Sequence, residues 1–283
     1  MKHSHNHSHN HSEGVSNVTM AFLLNFGFSI LELFGGIITG STAILSDAVH
    51  DFGDSLALAL SFIFEKVGKK ESNEKYTYGY KRLSLIGAFI NITVLSVGTI
   101  FVFNQALQAL RNPTAVKAEG MLFLAVIGIV INGASVFRMK GSKKILDKTV
   151  MMHLMEDLLG WVAVLVVSVV IYFTNWYILD PILSLGICFV IGRNIYFNLK
   201  TALMIIMQRV PDEDLYEEIK EHLIEMDEIE NIEKINMWTM DGEMHVVTAS
   251  IKALENTNKV DVLNKIKKML NNEGIKESTI EVL

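Results

Sequence analysis

One cysteine, Cys188, stands alone in an apolar run, so neither an internal disulfide nor a thiolate zinc site is open to this chain. Any metal chemistry must use His, Asp and Glu. The His-Glu-x-x-His arrangement that gives a zinc hydrolase its ligands and general base is also missing from the apolar segments, which argues against an intramembrane metallohydrolase. No apolar core follows the first twelve residues, MKHSHNHSHNHS, within reach of a cleavage site, and this excludes a secretory signal. Basic residues are scarce toward the C-terminus: residues 208–283 hold 9 against 18 acidic ones, a balance of −9 that leaves about +3 for the rest of the −6 chain. Such a tail is expected to be a separate soluble domain. Neither a nucleic-acid partner nor an organic cofactor is expected.

Apolar residues, by contrast, are plentiful. With 50% hydrophobic and 20% charged residues, the two kinds must be segregated into a membrane part and a soluble part. A bilayer crossing takes about 20 predominantly apolar residues. Six such stretches lie near residues 15–39, 41–65, 83–110, 121–139, 145–173 and 178–206. Segments apolar on every side, such as WVAVLVVSVVIYF, argue against a soluble helical bundle. The fold class expected is a membrane all-α domain of six helices over residues 15–207, followed by a small cytoplasmic α+β domain of ferredoxin-like type over 208–283.

Lys and Arg mark the short loops that stay cytoplasmic. The loop between spans two and three has Lys66, Lys69, Lys70, Lys75, Lys81 and Arg82, and the loop between four and five has Arg138, Lys140, Lys143, Lys144 and Lys148. The turn at Gly40 and the connection at Asn175 have no basic residue, and the loop near Pro113 has only Arg111 and Lys117. A multi-pass protein of the cell membrane follows, with both termini in the cytoplasm. Within the tail, Pro211-Asp212 opens a helix, two alternating strands flank Asp241-Gly242, residues 258–271 form an amphipathic helix, and STIEVL ends as a strand.

Spans two and five carry the chemistry. Ser46-Asp47-Ala48-Val49-His50-Asp51-Phe52-Gly53-Asp54 lies in the one and His153-Leu154-Met155-Glu156-Asp157 in the other. Each holds a His-x-x-x-Asp, and residues four apart share a helix face. At about 1.5 Å per residue, His50 and Asp54 lie roughly 13 and 20 Å from the outer end of span two, and His153 and Asp157 roughly 12 and 18 Å from the inner end of span five. Because the spans run antiparallel, all four groups fall at one level near mid-membrane. Two imidazoles and two carboxylates supply the four N and O donors that zinc takes tetrahedrally.

An Asp at the centre of a membrane helix costs about 2.5–3.5 kcal/mol even on a permissive scale, so two of them need a partner or a watery cavity. Two carboxylates, two neutral imidazoles and one dication sum to zero charge, as do two carboxylates and two imidazolium ions. Exchange of a metal ion for protons is therefore the expected chemistry, since ligands lose protons to bind metal and His titrates near neutral pH.

NFGFSILELFGGIITGSTAILSDAVHDFGDS, YTYGYKRLSLIGAFIN, GIVINGASV, HLMEDLLGWVAVL and DPILSLGI resemble the corresponding stretches of the cation diffusion facilitator family, and are most similar to its bacterial zinc exporters. The resemblance covers all six spans and, more weakly, the tail. It implies a homodimer in the lipid bilayer, alternating access driven by the proton gradient, and divalent metal efflux through His50, Asp54, His153 and Asp157. In that family a His at the position of His50 goes with zinc, although N and O ligands leave cadmium and cobalt open. The chain departs from the family in two places. Residues 65–75 contain no His, so no loop site is assigned, and the tail keeps only His222 and His245, too few for a bridged zinc cluster without Asp or Glu.

Other polar residues have two readings each. Asp47 shares the stripe of His50 and Asp54 and is a candidate for the release path, with helix capping as the alternative. Asn25 and Glu32 share a face of span one as cavity-lining candidates, and an interhelical hydrogen bond explains Asn25 equally well. Asp51 is rotated off the stripe, toward packing or a cavity. The arm over residues 1–14, with His3, His5, His7, His9 and His11, offers neutral imidazoles for accessory metal capture; a purification tag is its alternative, usually an unbroken His run. A zinc-binding sensor is the competing function, for which six spans are superfluous.

Overall fold

The computed structural model describes the backbone of residues 11–68, 70, 72–139 and 145–283, and their side chains except at 11–22, 24, 65, 135, 138–139 and 145–153. Helices come first: α1 (His11–Thr39), α2 (Thr42–Gly68), α3 (Leu83–Arg111), α4 (Ala118–Met139), α5 (Ile145–Thr174) and α6 (Leu179–Ile206). They are followed by α7 (Glu213–Ile224), β1 (Ile229–Thr239), β2 (His245–Ala253), α8 (Lys259–Asn272) and β3 (Glu277–Val282). Each apolar stretch of the sequence is one helix, and the tail has the expected order of helices and strands. α1 starts at His11, inside the segment expected as an arm. Two compact units result. One runs to Ser61 and resumes over Ile90–Tyr196; the other is Phe62–Phe89 with Phe197–Leu283.

Burial in the first unit is reversed relative to a protein that folds in water. Phe123, Phe173 and Phe189 are 69%, 77% and 75% exposed, while Glu32, Ser55, Ser168 and Ser184 are each at 0%. Only an apolar solvent rewards that distribution, because backbone polarity is satisfied within each helix and side-chain polarity is turned inward. α3, Leu154–Thr174 of α5, and α6 are long and apolar enough to cross a membrane. α2 is not, because every 18-residue stretch of it holds at least three charged residues, among them Asp51 and Asp54. Its charges are the reason it must be surrounded by other helices.

The α1–α2 corner follows from one glycine. Gly40 has φ 73°, a left-handed conformation that costs glycine little. Ser41 N–H then reaches back to Gly36 O at 3.1 Å, which closes the helix end. α2 restarts at once but has no acidic residue in its first turn. Asp180 of α6, 1% exposed, supplies the missing charge: its Oδ2 accepts from Thr42 N at 2.7 Å and Thr42 Oγ1 at 2.9 Å, and its Oδ1 accepts from Ser41 Oγ at 2.5 Å. Ser184 Oγ donates to Thr42 O at 3.0 Å and lies 2.7 Å from Ser46 Oγ, lacing α6 further along α2.

α5 is held by α4 and α1. A Cβ on Gly128 of α4 would overlap the indole of Trp161, so the missing side chain is the slot into which Trp161 packs. Trp161 is 0% exposed and meets the Phe28 ring at 5.7 Å between centroids. It is a packing residue, four positions beyond Asp157, and not an interfacial anchor. Trp161→Ala is expected to destabilise the helical unit by about 3–5 kcal/mol, and Gly128→Val to clash at the same place. Thermal unfolding of the purified protein checks this, and unchanged midpoints for both would refute the slot.

In the second unit β2 lies between β1 and β3, antiparallel to the first and parallel to the second, with α8 as the crossover. Ile219 and Leu223 of α7 and Val262, Ile266 and Leu270 of α8 pack on Met237, Val247, Ala249 and Ile251 of the sheet. The four-residue spacing in both helices produces one apolar face each, as their sequence patterns require. Asp212 caps α7 by accepting from Asp214 N and Leu215 N, and Asn258 caps α8 through Val260 N. The hairpin turns at Asp241-Gly242, with Gly242 at φ 103° and Asp241 Oδ1 accepting from Glu243 N and Met244 N. On the surface the Lys265 ammonium beside Glu228 lowers that carboxyl from its ordinary range.

Candidate metal site

His50 and Asp54 project from α2 one turn apart, and Asp157 projects from α5. His50 Nε2 lies 3.8 Å from Asp54 Oδ2 and 3.9 Å from Asp157 Oδ1. Those separations exceed a hydrogen bond. Ligands about 2.0–2.1 Å from a tetrahedral zinc ion stand roughly 3.3–3.4 Å apart, so His50 Nε2 is about 0.5 Å too far from each carboxylate for that geometry. The three side chains are 17%, 25% and 10% exposed, sheltered yet reachable. His153 precedes Asp157 by one turn of α5; its side chain lies outside the described residues.

The acidic residues around these three side chains are more deeply buried. Asp47 and Asp51 of α2 are 5% and 4% exposed, and Glu32 of α1 has its carboxyl beside that of Asp51. Asp47 also reaches α5, where a Cβ on Gly160 would lie 3.7 Å from its Oδ1. Asn25 is used structurally, its Nδ2 donating to Asp51 O at 3.4 Å across the α1–α2 contact. Two other candidates belong to the second unit. His222 is on α7, 3.8 Å from Glu273, and His245 opens β2 opposite Thr239. His3, His5, His7 and His9 lie outside the described residues, as does the side chain of His11.

Sequence reasoning missed Asp180. The sign available was an Asp-Pro pair at the start of span six, which marks a helix N-terminus but does not say which helix the carboxylate caps. Here it caps α2, the helix that presents His50 and Asp54, and so fixes the axial position of both side chains.

Residues 18–207 match the family described as the cation efflux transmembrane domain. The zinc transporter ZitB of Pectobacterium atrosepticum is 29% identical over 99% of this chain and 88% of its own length. The cadmium, cobalt and zinc/H(+)-K(+) antiporter of Bacillus subtilis is 28% identical over 100% of this chain and 92% of its own. The cation efflux system protein CzcD of Alcaligenes sp. is 27% identical over 95% of this chain and 85% of its own. The family match runs from within α1 to beyond the end of α6 and takes in well over half of the chain. With its lipid-facing exterior and the inward-turned acids and imidazole of α2 and α5, the chain belongs to the cation efflux family, a membrane transporter and not an enzyme.

Proposed function

We propose that the chain exports zinc in exchange for protons, by alternating access through His50, Asp54, His153 and Asp157. The observation that carries this reading is the approach of His50 Nε2 to Asp54 on its own helix and to Asp157 on α5, which brings two helices together through atoms that can ligate a metal. Helix register supports the fourth member. Asp47 approaches Gly160, and His50, three residues further along α2, approaches Asp157, three residues back along α5. Four more residues in each direction bring Asp54 level with position 153. Zinc as the cargo is supported by the imidazole-carboxylate donor set and by the names of the relatives, one of which also names cadmium, cobalt, protons and potassium.

The remaining arrangement belongs to the same proposal. Six passes over residues 15–207 place both termini and the 208–283 domain in the cytoplasm, two copies of the chain assemble as a homodimer, and the imidazoles of residues 3–11 gather metal ahead of the pathway. Proton exchange follows from charge balance: metal binding expels protons from the imidazoles, and reprotonation on the other side releases the metal.

Purified protein in sealed vesicles tests the coupling. Zinc entry is expected to accelerate when the vesicle interior is made more acidic than the medium, and that gain should vanish with a protonophore. Zinc flux indifferent to the pH gradient would overturn proton exchange, and flux that followed a potassium gradient instead would assign the counter-ion to potassium.

A further inference from the structure

The second unit contains a cluster of metal-ligating side chains that the transport pathway does not use. We infer that Glu218 and His222 of α7, with Glu273 at the end of α8, form a separate divalent-cation site. One ligand atom from each lies within 4.8 Å of the other two. Glu218 and His222 are four apart and so share a helix face. Glu273 comes from the other helix, with its Oε1 3.8 Å from His222 Nδ1. That separation is too long for a hydrogen bond.

His222 Nδ1 gives the second, independent observation. The imidazole as a whole is 41% exposed, yet this nitrogen is shut off from solvent and has no hydrogen-bond partner. A ring nitrogen turned inward toward the Glu273 carboxylate is oriented as a ligand is.

The backbone field favours a cation at the same spot. His222 lies in the last turn of α7 and Glu273 is the C-cap of α8, so the negative ends of two helix dipoles converge there. Capping of α8 leaves the Glu273 side chain uncommitted, because it is the backbone N–H that bonds Asn271 O and Met269 O. Two carboxylates and a neutral imidazole carry the charge that a dication cancels. One nitrogen and two oxygen donors suit zinc or a similar first-row ion, with water completing the shell.

Occupancy would tie α7 to α8, the two helices whose Ile219, Leu223, Val262, Ile266 and Leu270 make the core against the sheet. The site lies within one chain and does not include His245. It stands or falls separately from the transport site.

The test counts zinc bound at equilibrium by the full chain in detergent, with Asp54→Ala and Asp157→Ala present throughout to remove the transport site. Adding His222→Ala should lower the count by one ion per chain, and adding Glu273→Gln should weaken the same ion at least tenfold. Zinc should also raise the melting temperature of the Asp54→Ala, Asp157→Ala protein, and adding His222→Ala should abolish that rise. His222 is on an exposed helix face where Ala is well tolerated, and Glu273→Gln preserves shape, so either variant remains informative if the other fails to fold. An unchanged count in His222→Ala, or an unchanged affinity in Glu273→Gln where only that variant folds, reduces the cluster to an ordinary ion pair and overturns the proposal. Because both transport carboxylates are absent from every sample, failure here says nothing against zinc export.

Discussion

Asp157→Ala is expected to reduce zinc flux in reconstituted vesicles to the level of vesicles without protein, and Asp54→Ala to do the same, with insertion into the bilayer intact. The expectation rests on ligand count and on charge together. Removing either carboxylate leaves three donors and, with a bound dication, an excess positive charge inside the membrane, where bare charge costs about 2.5–3.5 kcal/mol on the most permissive scale. Both losses act in the same direction, and neither is recovered by solvent because the site is sheltered, with Asp157 only 10% exposed. Both carboxylates lie near His50 Nε2, at 3.8 and 3.9 Å, so either substitution also removes a negative neighbour of its imidazole. Insertion should survive, since a helix with one fewer charge enters lipid more easily. Zinc flux at the parent level in Asp157→Ala would end the argument for this pathway, and Glu156→Ala, at a neighbouring exposed position, serves as the comparison that should transport normally.

Much of this arrangement was legible in the sequence because its causes are periodic and local. The first six helices are largely apolar, so each was visible as composition, and only helix ends shifted, as where α4 begins at Ala118 ahead of the expected residue 121. The neighbouring positions of His50 and Asp54 were legible because spacing by four is a property of a single helix. What joins separate elements left no such trace. The slot at Gly128 exists only once Trp161 fills it, and Glu273 reads as an ordinary exposed acid until α8 ends beside His222. Asn25 illustrates the limit from the other side: its position on α1 fitted a cavity and an interhelical bond equally, and contact with the Asp51 carbonyl appears only when α1 and α2 are packed.

Asp180→Ala is expected to be the most damaging substitution outside the ligand set. One carboxylate receives Ser41 Oγ, Thr42 N and Thr42 Oγ1, with Ala43 N further off at 3.4 Å, and all of these groups are buried. Truncation leaves the first N–H groups of α2 with no water to replace the lost acceptor, and removes the negative charge that faces the positive end of the helix. A hydrogen bond to a charged group contributes about 1.5–3 kcal/mol. These bonds share one acceptor and do not add, so a loss of about 3 kcal/mol is the reasonable expectation. Asp180→Asn keeps an acceptor oxygen and the side-chain shape, and should lose less. Function should follow stability here: α2 released at its N-terminus no longer holds His50 and Asp54 level with Asp157, so zinc affinity should fall while the ligands themselves remain. Thermal unfolding and zinc binding measured on the same samples separate this positioning role from a ligand role, because suppression of the unfolding by a stabilising lipid should restore binding in Asp180→Ala but not in Asp54→Ala. Equal melting temperatures for Asp180→Ala and the parent protein would show that α2 does not depend on its borrowed cap.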